Sequence, residues 1–251
     1  MSGGRSSKEA PSRRDVARGF ADGHSARRAG KIVRPMRVLV LYANPKPQGL
    51  CAALHDEVSR VLCGHHVDDV DMYAEQFDPV KPLAEVQEQD ARMRPGRPTA
   101  PLPQLERHID LLKRAEAIVL VFPVWHFGFP AILKGYIDRV CLPEVAYRFE
   151  NGRMRGNLDR LKLVAAIATY GAPRIGAWWF GDPTRRFVKQ QLTPMATRRA
   201  AMLYLARYSA SRTDAEAGKA FIENVGKKLA RAIRSASNEA NAAPLPHALP
   251  S

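Results

Sequence analysis

From Arg37 onward, short unbroken apolar runs alternate with stretches in which apolar residues recur every three or four positions. RVLVLYA (Arg37–Ala43) is a Val/Leu run with the pattern of a strand buried on both faces. GLCAALHDEVSRVL then gathers Leu50, Leu54, Val58 and Val61–Leu62 on one side of a helix. HHVDDVDMY reads as a weaker strand. FDPVKPLAEVQEQDARMRPGRPTAP, broken by prolines, predicts a long excursion with one or two helical turns. LPQLERHIDLLKRA (Leu102–Ala115) is an amphipathic helix and AIVLVF (Ala117–Phe122) a buried strand. PAILKGYIDRV (Pro130–Val140) is a helix with proline at its first position, where the missing N–H costs nothing. KLVAAIAT (Lys162–Thr169) is another buried strand, and DPTRRFVKQQLTPM reads as helical up to Pro194. AAMLYLARY (Ala200–Tyr208) reads as a strand, although its pattern also admits a helix. The final helix, in TDAEAGKAFIENVGKKLARAIR, opens with Thr213 as N-cap and Glu216 three residues on, a capping box.

Five strands alternating with helices predict an α/β fold, an open, doubly wound parallel sheet. Ligands of such sheets bind beyond the carboxyl ends of the strands, near the point where strand order reverses. The fold occupies residues 36–234. Residues 1–35, rich in Arg, Ser, Gly and Ala without an apolar period, read as a disordered basic tail. Residues 235–251, rich in Ala, Asn and Pro, read as a second disordered, frayed tail. Met36 directly precedes the first strand and is an alternative start. The tail has three acids and no amphipathic face, which weakens a transit-peptide reading.

Charge adds one theme. The 251 residues carry a formal +14, and the nine Lys/Arg and three acids of residues 1–35 supply +6 of it. Such a surface attracts nucleic acid, anionic lipid or a phosphorylated ligand, or is simply solvated. No apolar run reaches the roughly 18 residues of a membrane span, and the N-terminus lacks the apolar core of a secretory signal. Three cysteines, Cys51, Cys63 and Cys141, form no disulfide framework and point to a reducing compartment, the cytoplasm. Cys63, His65 and His66 lie close together but lack a further well-placed ligand, so no metal site is expected, and Cys63 is expected to end a helix in the core.

Three loops carry candidate chemistry. NPKPQGLC (Asn44–Cys51) follows the first strand; its amides at Gln48 to Cys51 open a helix and, with the helix dipole, can hold a phosphate. It matches neither G-x-G-x-x-G nor a Walker loop, and an ordinary strand–helix turn explains it equally well. The second loop, Pro123, Val124, Trp125, His126, Phe127 and Gly128, offers apolar walls and backbone polar groups to a flat heterocycle, or a hydrophobic plug or subunit contact. His126 within it is a packing or hydrogen-bonding residue, or an acid or base. The third, TYGAPRIGAWWFGDP (Thr169–Pro183), supplies Tyr170, Trp178, Trp179 and Phe180 as flat surfaces and Arg174 as a cation for developing negative charge. The same Trp pair also reads as a lid or a dimer contact.

FPVWHFGFPAILKGYIDRV closely resembles the signature of the flavodoxin-like NAD(P)H:quinone oxidoreductases, a family that includes the mammalian quinone reductase, a bacterial drug-activity modulator and potassium-efflux ancillary subunits. DMYAEQFDPV (Asp71–Val80) resembles the family's stretch after the second strand, and VLVLYANPKPQGLCAAL its first strand and phosphate loop. The likeness covers Arg37 to Arg174 well and the rest loosely. It implies a flavodoxin-like five-stranded parallel sheet of order 2-1-3-4-5 with helices on both faces. It also implies a noncovalent flavin, FMN or FAD, in a homodimer with active sites at the subunit interface. Reduced nicotinamide, NADH or NADPH, would pass hydride through the flavin to a quinone or similar small acceptor. By position, Asn44, Gln48, Gly49, Leu50 and Cys51 would hold the phosphate or pyrophosphate. Pro123, Val124, Trp125, His126 and Phe127 would line the isoalloxazine, and Thr169, Tyr170 and Gly171 would meet its pyrimidine edge. Tyr170, His126 and Arg174 are the candidate catalytic residues, with Tyr170 expected to place its ring beside the flavin.

The chain departs from the family where Asn44 replaces a usual His, where Gly49-Leu50-Cys51 replaces Ser-Phe-Asn, and where Ala168-Thr169-Tyr170-Gly171 replaces Thr-Thr-Gly-Gly. Loss of the hydroxyl leaves phosphate binding to backbone amides. Two rival readings remain: a regulatory flavoprotein acting on a partner such as a transporter, and a nucleic-acid or membrane-surface binder working through the basic tail.

Overall fold

The computed structural model describes residues 34–94, 102–210 and 215–242. The basic tail up to residue 33, Thr213 of the capping box and residues 243–251 lie outside the described residues. Strands β1 (Arg37–Tyr42), β2 (His66–Asp71), β3 (Ala117–Val124), β6 (Leu163–Tyr170) and β7 (Ala201–Arg207) form one sheet in the order β2-β1-β3-β6-β7. Every pairing is parallel. Counting only these strands, the order is 2-1-3-4-5, as the resemblance implied. The chain leaves β1 toward one edge and returns on its other side as β3, so the loops after β1 and β3 diverge and leave a crevice.

Strand alternation sorts the core into two layers. Leu39, Leu41, Ile118, Leu120, Phe122, Val164, Ala166, Ala168 and Tyr170 face one side. There they pack with Leu105, Leu111 and Leu112 of α3 (Pro103–Arg114) and Leu133, Tyr136 and Ile137 of α4 (Ala131–Val140). Val38, Val40, Tyr42, Val119, Val121, Ala165 and Ile167 face the other. Against them lie Leu54 and Val58 of α1 (Leu50–Val61) and Val225, Leu229 and Ile233 of α7 (Ala215–Ala242). At the amino ends of the strands, the Glu116 carboxylate accepts from the Arg37 amide at 3.0 Å, from Lys162 at 2.8 Å and from Arg34. Burial alone would raise this carboxyl, but those donors outweigh it and hold it below the usual range. Arg34, assigned to the tail by composition, is therefore tied to the fold.

Several elements differ from expectation. The proline-broken excursion carries a full helix, α2 (Leu83–Arg92). The stretch predicted as one helix to Pro194 divides into α6 (Pro183–Phe187), a π-helical turn (Val188–Leu192) and a 3₁₀ turn (Thr193–Met195). Thr193 Oγ1 donates to Val188 O at 2.8 Å, across the widened turn. A hairpin of β4 (Tyr147–Glu150) and β5 (Arg153–Gly156) was not anticipated. Its signal is Asn151-Gly152, both at positive φ (51° and 74°), the dipeptide of a tight hairpin turn. Helix α7 runs to Ala242 where fraying was expected from residue 235, because Ala236 and Ser237 are buried and Ser237 Oγ donates to Arg34 O at 2.9 Å. Cys63, expected in the core, is exposed beyond the end of α1. Pro130 caps α4 from outside rather than opening it.

The signature helix α4 is fixed from outside the sheet. Arg139 Nε donates to Glu85 Oε2 at 2.9 Å and Nη2 to Oε1 at 2.5 Å, with Gln104 adding a bond at 3.0 Å and Arg139 also reaching the Asp78 carbonyl. Glu85 and Arg139 are both buried. A Cβ on Gly135 would stand within 2.5 Å of the Cα and Cβ of Pro79. The glycine of the signature thus admits the 78–80 backbone onto α4. Gly135→Ala is expected to destabilise the protein by about 1–3 kcal/mol, read as a lower urea midpoint.

Candidate functional site

At the carboxyl ends of β1, β3 and β6 lies a cavity of about 490 Å³. It is lined by Asn44, Lys46, Gln48, Gly49, Leu50, Cys51, Pro123, Val124, Trp125, Thr169, Tyr170, Gly171 and Ala210. The three sequence-selected loops therefore meet around one space, of a size within the range of small-molecule sites.

The loop after β1 is braced from below. Tyr42 stacks on His55, ring centroids 4.1 Å apart, and His55 Nε2 hydrogen-bonds Asp69 at 3.0 Å. The Asn44 side-chain amide donates to Tyr42 Oη at 3.1 Å and to Lys46 O at 2.9 Å. Asn44 is buried and spends its amide on the loop's own shape. Gly49 caps α1 at φ 110°, ψ −176°, a conformation essentially confined to glycine, without a side-chain cap. The first intrahelical bond runs from the Ala53 amide to Gly49 O, leaving the Leu50, Cys51 and Ala52 amides ahead of the ladder at the positive end of the helix dipole. Lys46, which sequence reasoning passed over, lines the same mouth; a lysine inside the phosphate-loop segment was the available signal.

Cys51 and Thr169 join two of the loops. Burial pushes the Cys51 thiol up to about 12, against a smaller lowering by its hydrogen bond with Thr169. A thiol so held is not a nucleophile at neutral pH. The second loop folds back on itself: Trp125 N–H donates to Gly128 O at 3.1 Å, and Gly128 N–H to Trp125 O at 2.8 Å. Its central residues His126 and Phe127 sit at φ 48° and 59°, a left-handed pair that a non-glycine chain adopts at a cost. That turn holds Trp125, 43% exposed, at the cavity wall. His126 is exposed and outside the cavity lining, and Phe127 stacks on Phe180 at 4.3 Å instead of facing the cavity.

Tyr170 corrects the expectation of a ring beside the ligand. Thr169 faces the α1 side, so strand alternation turns Tyr170 to the opposite face, where its side chain is 1% exposed. Its hydroxyl bonds Asp182 Oδ1 at 2.6 Å, Thr184 Oγ1 at 2.7 Å and Tyr204 Oη at 3.0 Å. Burial foremost, with the Asp182 carboxylate, keeps that phenol far above its ordinary pKa, so it stays a neutral donor. Arg174 lines a neighbouring cavity and not this one. Among the described residues no three metal-ligating side chains gather, and no helix is long and apolar enough to cross a membrane.

A doubly wound parallel sheet with a phosphate-type loop after β1 and a crevice between the β1 and β3 loops defines the flavodoxin-like class. The chain belongs to the Flavodoxin_2 family, of flavodoxin-like fold, whose profile matches residues 36–227. It is 32% identical over 131 residues to an uncharacterised NAD(P)H oxidoreductase of Haemophilus influenzae, a match covering 51% of this chain and 61% of that protein. An FMN-dependent NADH:quinone oxidoreductase of Beijerinckia indica is 28% identical over 89 residues, covering 36% of this chain and 44% of that one. The chain thus spans about half the length of these curated relatives. The solved structure of Smu.1420 from Streptococcus mutans superposes with a TM-score of 0.67 at 27% identity, over 78% of this chain and 99% of that one.

Proposed function

We propose that this chain is a flavin-dependent NAD(P)H oxidoreductase that holds FMN in the 490 Å³ cavity and reduces a quinone-like small acceptor. The observation that carries the reading is the meeting of three strand-end loops, one offering open helix amides and another a held indole, around a single space. The residues present fit an FMN. The Leu50, Cys51 and Ala52 amides and Lys46 receive the phosphate, and Gly49 lets the backbone come close. Trp125 and the Pro123–Val124 backbone form a wall for the ring, and the Thr169–Gly171 segment meets its polar edge. Bound flavin supplies the two-electron chemistry between a reduced nicotinamide and the acceptor. The protein's part is to grip, orient and keep water from one face. The names of the Haemophilus and Beijerinckia relatives support this reading.

The second subunit of a homodimer would close the open face. Ile175, Trp179 and Phe180 on and beside α5 (Arg174–Trp179) are 58–79% exposed, an apolar ridge of the kind an interface covers. Cys51, Cys63 and Cys141 are all free, which supports the cytoplasm as the compartment.

Purified protein is expected to be yellow, to release FMN on heating, and to oxidise NADPH or NADH when a quinone is added. Colourless protein that takes up neither FMN nor FAD would overturn the proposal.

A further inference from the structure

A second cavity, about 520 Å³, lies beside the first and is lined by Arg174, Trp178, Gly181, Asp182, Arg185, Arg186, Lys189 and Tyr208. The two share their supporting segments. Gly171 lines one and Arg174 the other, and so do Ala210 and Tyr208. Three residues of extended chain span at most about 11 Å, so a ligand the length of a dinucleotide reaches from one to the other.

The charge here is unbalanced. Arg174, Arg185, Arg186 and Lys189 make no ion pair among the described residues. The one acid, Asp182, already accepts from Tyr170 Oη at 2.6 Å and Tyr208 Oη at 3.3 Å. Asp182 itself sits at φ 46°, held by its amide to Ala177 O at 2.8 Å and by the Arg186 amide to its carbonyl at 3.0 Å. Arg185 and Arg186 follow it on α6 and line the same cavity as Arg174. Gly181, at φ 71°, leaves room for the Arg186 guanidinium, whose Nη1 lies 3.2 Å from where a Cβ would stand. Lys189 projects from the π-helical turn, a distortion that recurs at functional sites. Trp178, 73% exposed, offers an indole face at the rim. Four cations and an indole fit a phosphate monoester of charge near −2 attached to a flat base.

We infer that this cavity seats the 2′-phosphate and adenine of NADPH, so that the chain selects NADPH over NADH. The choice of nucleotide rests on the oxidoreductase reading; the anion-and-ring site does not. Arginine is the side chain that accommodates a ribose 2′-phosphate elsewhere, through paired N–H donors.

The test uses two probes on the full chain as purified: adenosine 2′,5′-bisphosphate and 5′-AMP, titrated by calorimetry and by Trp fluorescence. The bisphosphate is expected to bind at least about 30-fold more tightly, and more weakly as salt rises. Arg185→Ala/Arg186→Ala is expected to bring the ratio close to one, and Arg186→Ala alone to lower it several-fold should the double variant melt early by circular dichroism. Lys227→Ala, on the exposed face of α7, is the control that leaves it unchanged. Equal binding of the two probes, no binding of either, or a ratio unmoved in the Arg variants would overturn the inference. Flavin-loaded protein that uses NADPH and NADH with equal kcat/KM would overturn it too. Protein that takes up neither FMN nor FAD yet still shows the predicted ratio would sink the redox reading and leave the site standing.

Discussion

Glu85→Ala should cost the protein about 3–5 kcal/mol of stability, because it leaves the buried Arg139 guanidinium without its carboxylate. The loss is read as a fall in the urea midpoint with an unchanged slope. Glu85→Gln keeps the shape and one acceptor and should fall between Ala and the parent. The same pair sets an acid limit. Burial pushes the Glu85 carboxyl up, and its bonds from Arg139 and Gln104 more than reverse this, so its folded pKa lies below the ordinary Glu value. A depressed pKa contributes stability that is present above the unfolded value, about 4.3, and disappears as pH drops through the folded one. Unfolding curves should therefore stay level from neutrality to about pH 5 on this account and weaken below it. An Ala variant with parental stability at pH 7 would show that the pair does not anchor α4.

Gly49→Ala is expected to lower flavin affinity about 5- to 150-fold while leaving the protein folded. A Cβ at Gly49 would meet nothing within 4 Å, so the effect comes from the backbone and not from crowding. Alanine at φ 110° is strained, and relief of the strain would turn the Leu50–Ala52 amides away from the phosphate proposed there. Gly64→Ala is the matched comparison. It has φ 93° and equally open space, but sits in the turn after α1 and does not line the cavity. Both variants should lose stability; only Gly49→Ala should lose bound flavin on dialysis. Equal retention by the two would remove the helix N-terminus from the phosphate site.

The sheet was legible because its strands are unbroken apolar runs such as Leu163–Tyr170, buried at every position. The cavity was legible as three segments because each directly follows such a run. What escaped has a physical reason in each case. Residues 81–92 showed only one or two helical turns because the prolines before them mask a longer helix whose buried residue is the charged Glu85, paired 54 residues away with Arg139. Composition cannot reveal a partner at that separation. Tyr170 was read as a loop residue with its ring beside the flavin; the strand runs through it to its end, so the pleat rather than the loop decides where its ring goes. The basic cavity was missed because Arg174 and Arg185 are eleven positions apart in a stretch read as a single glycine-rich loop and helix. The most recognisable motif, PAILKGYIDRV, proves to owe Gly135 and Arg139 to holding the 78–85 segment, not to touching the cavity.

The chain of contacts from Asp69 through His55 and Tyr42 to Asn44 has one last consequence. If the β1 loop holds a phosphate as proposed, the loop around Asn44 and Lys46 is already shaped for it, since the brace is complete within the polypeptide. Little segmental freezing accompanies capture, so cofactor uptake by the empty protein should be a fast, single-phase encounter rather than a slow closing of a floppy mouth.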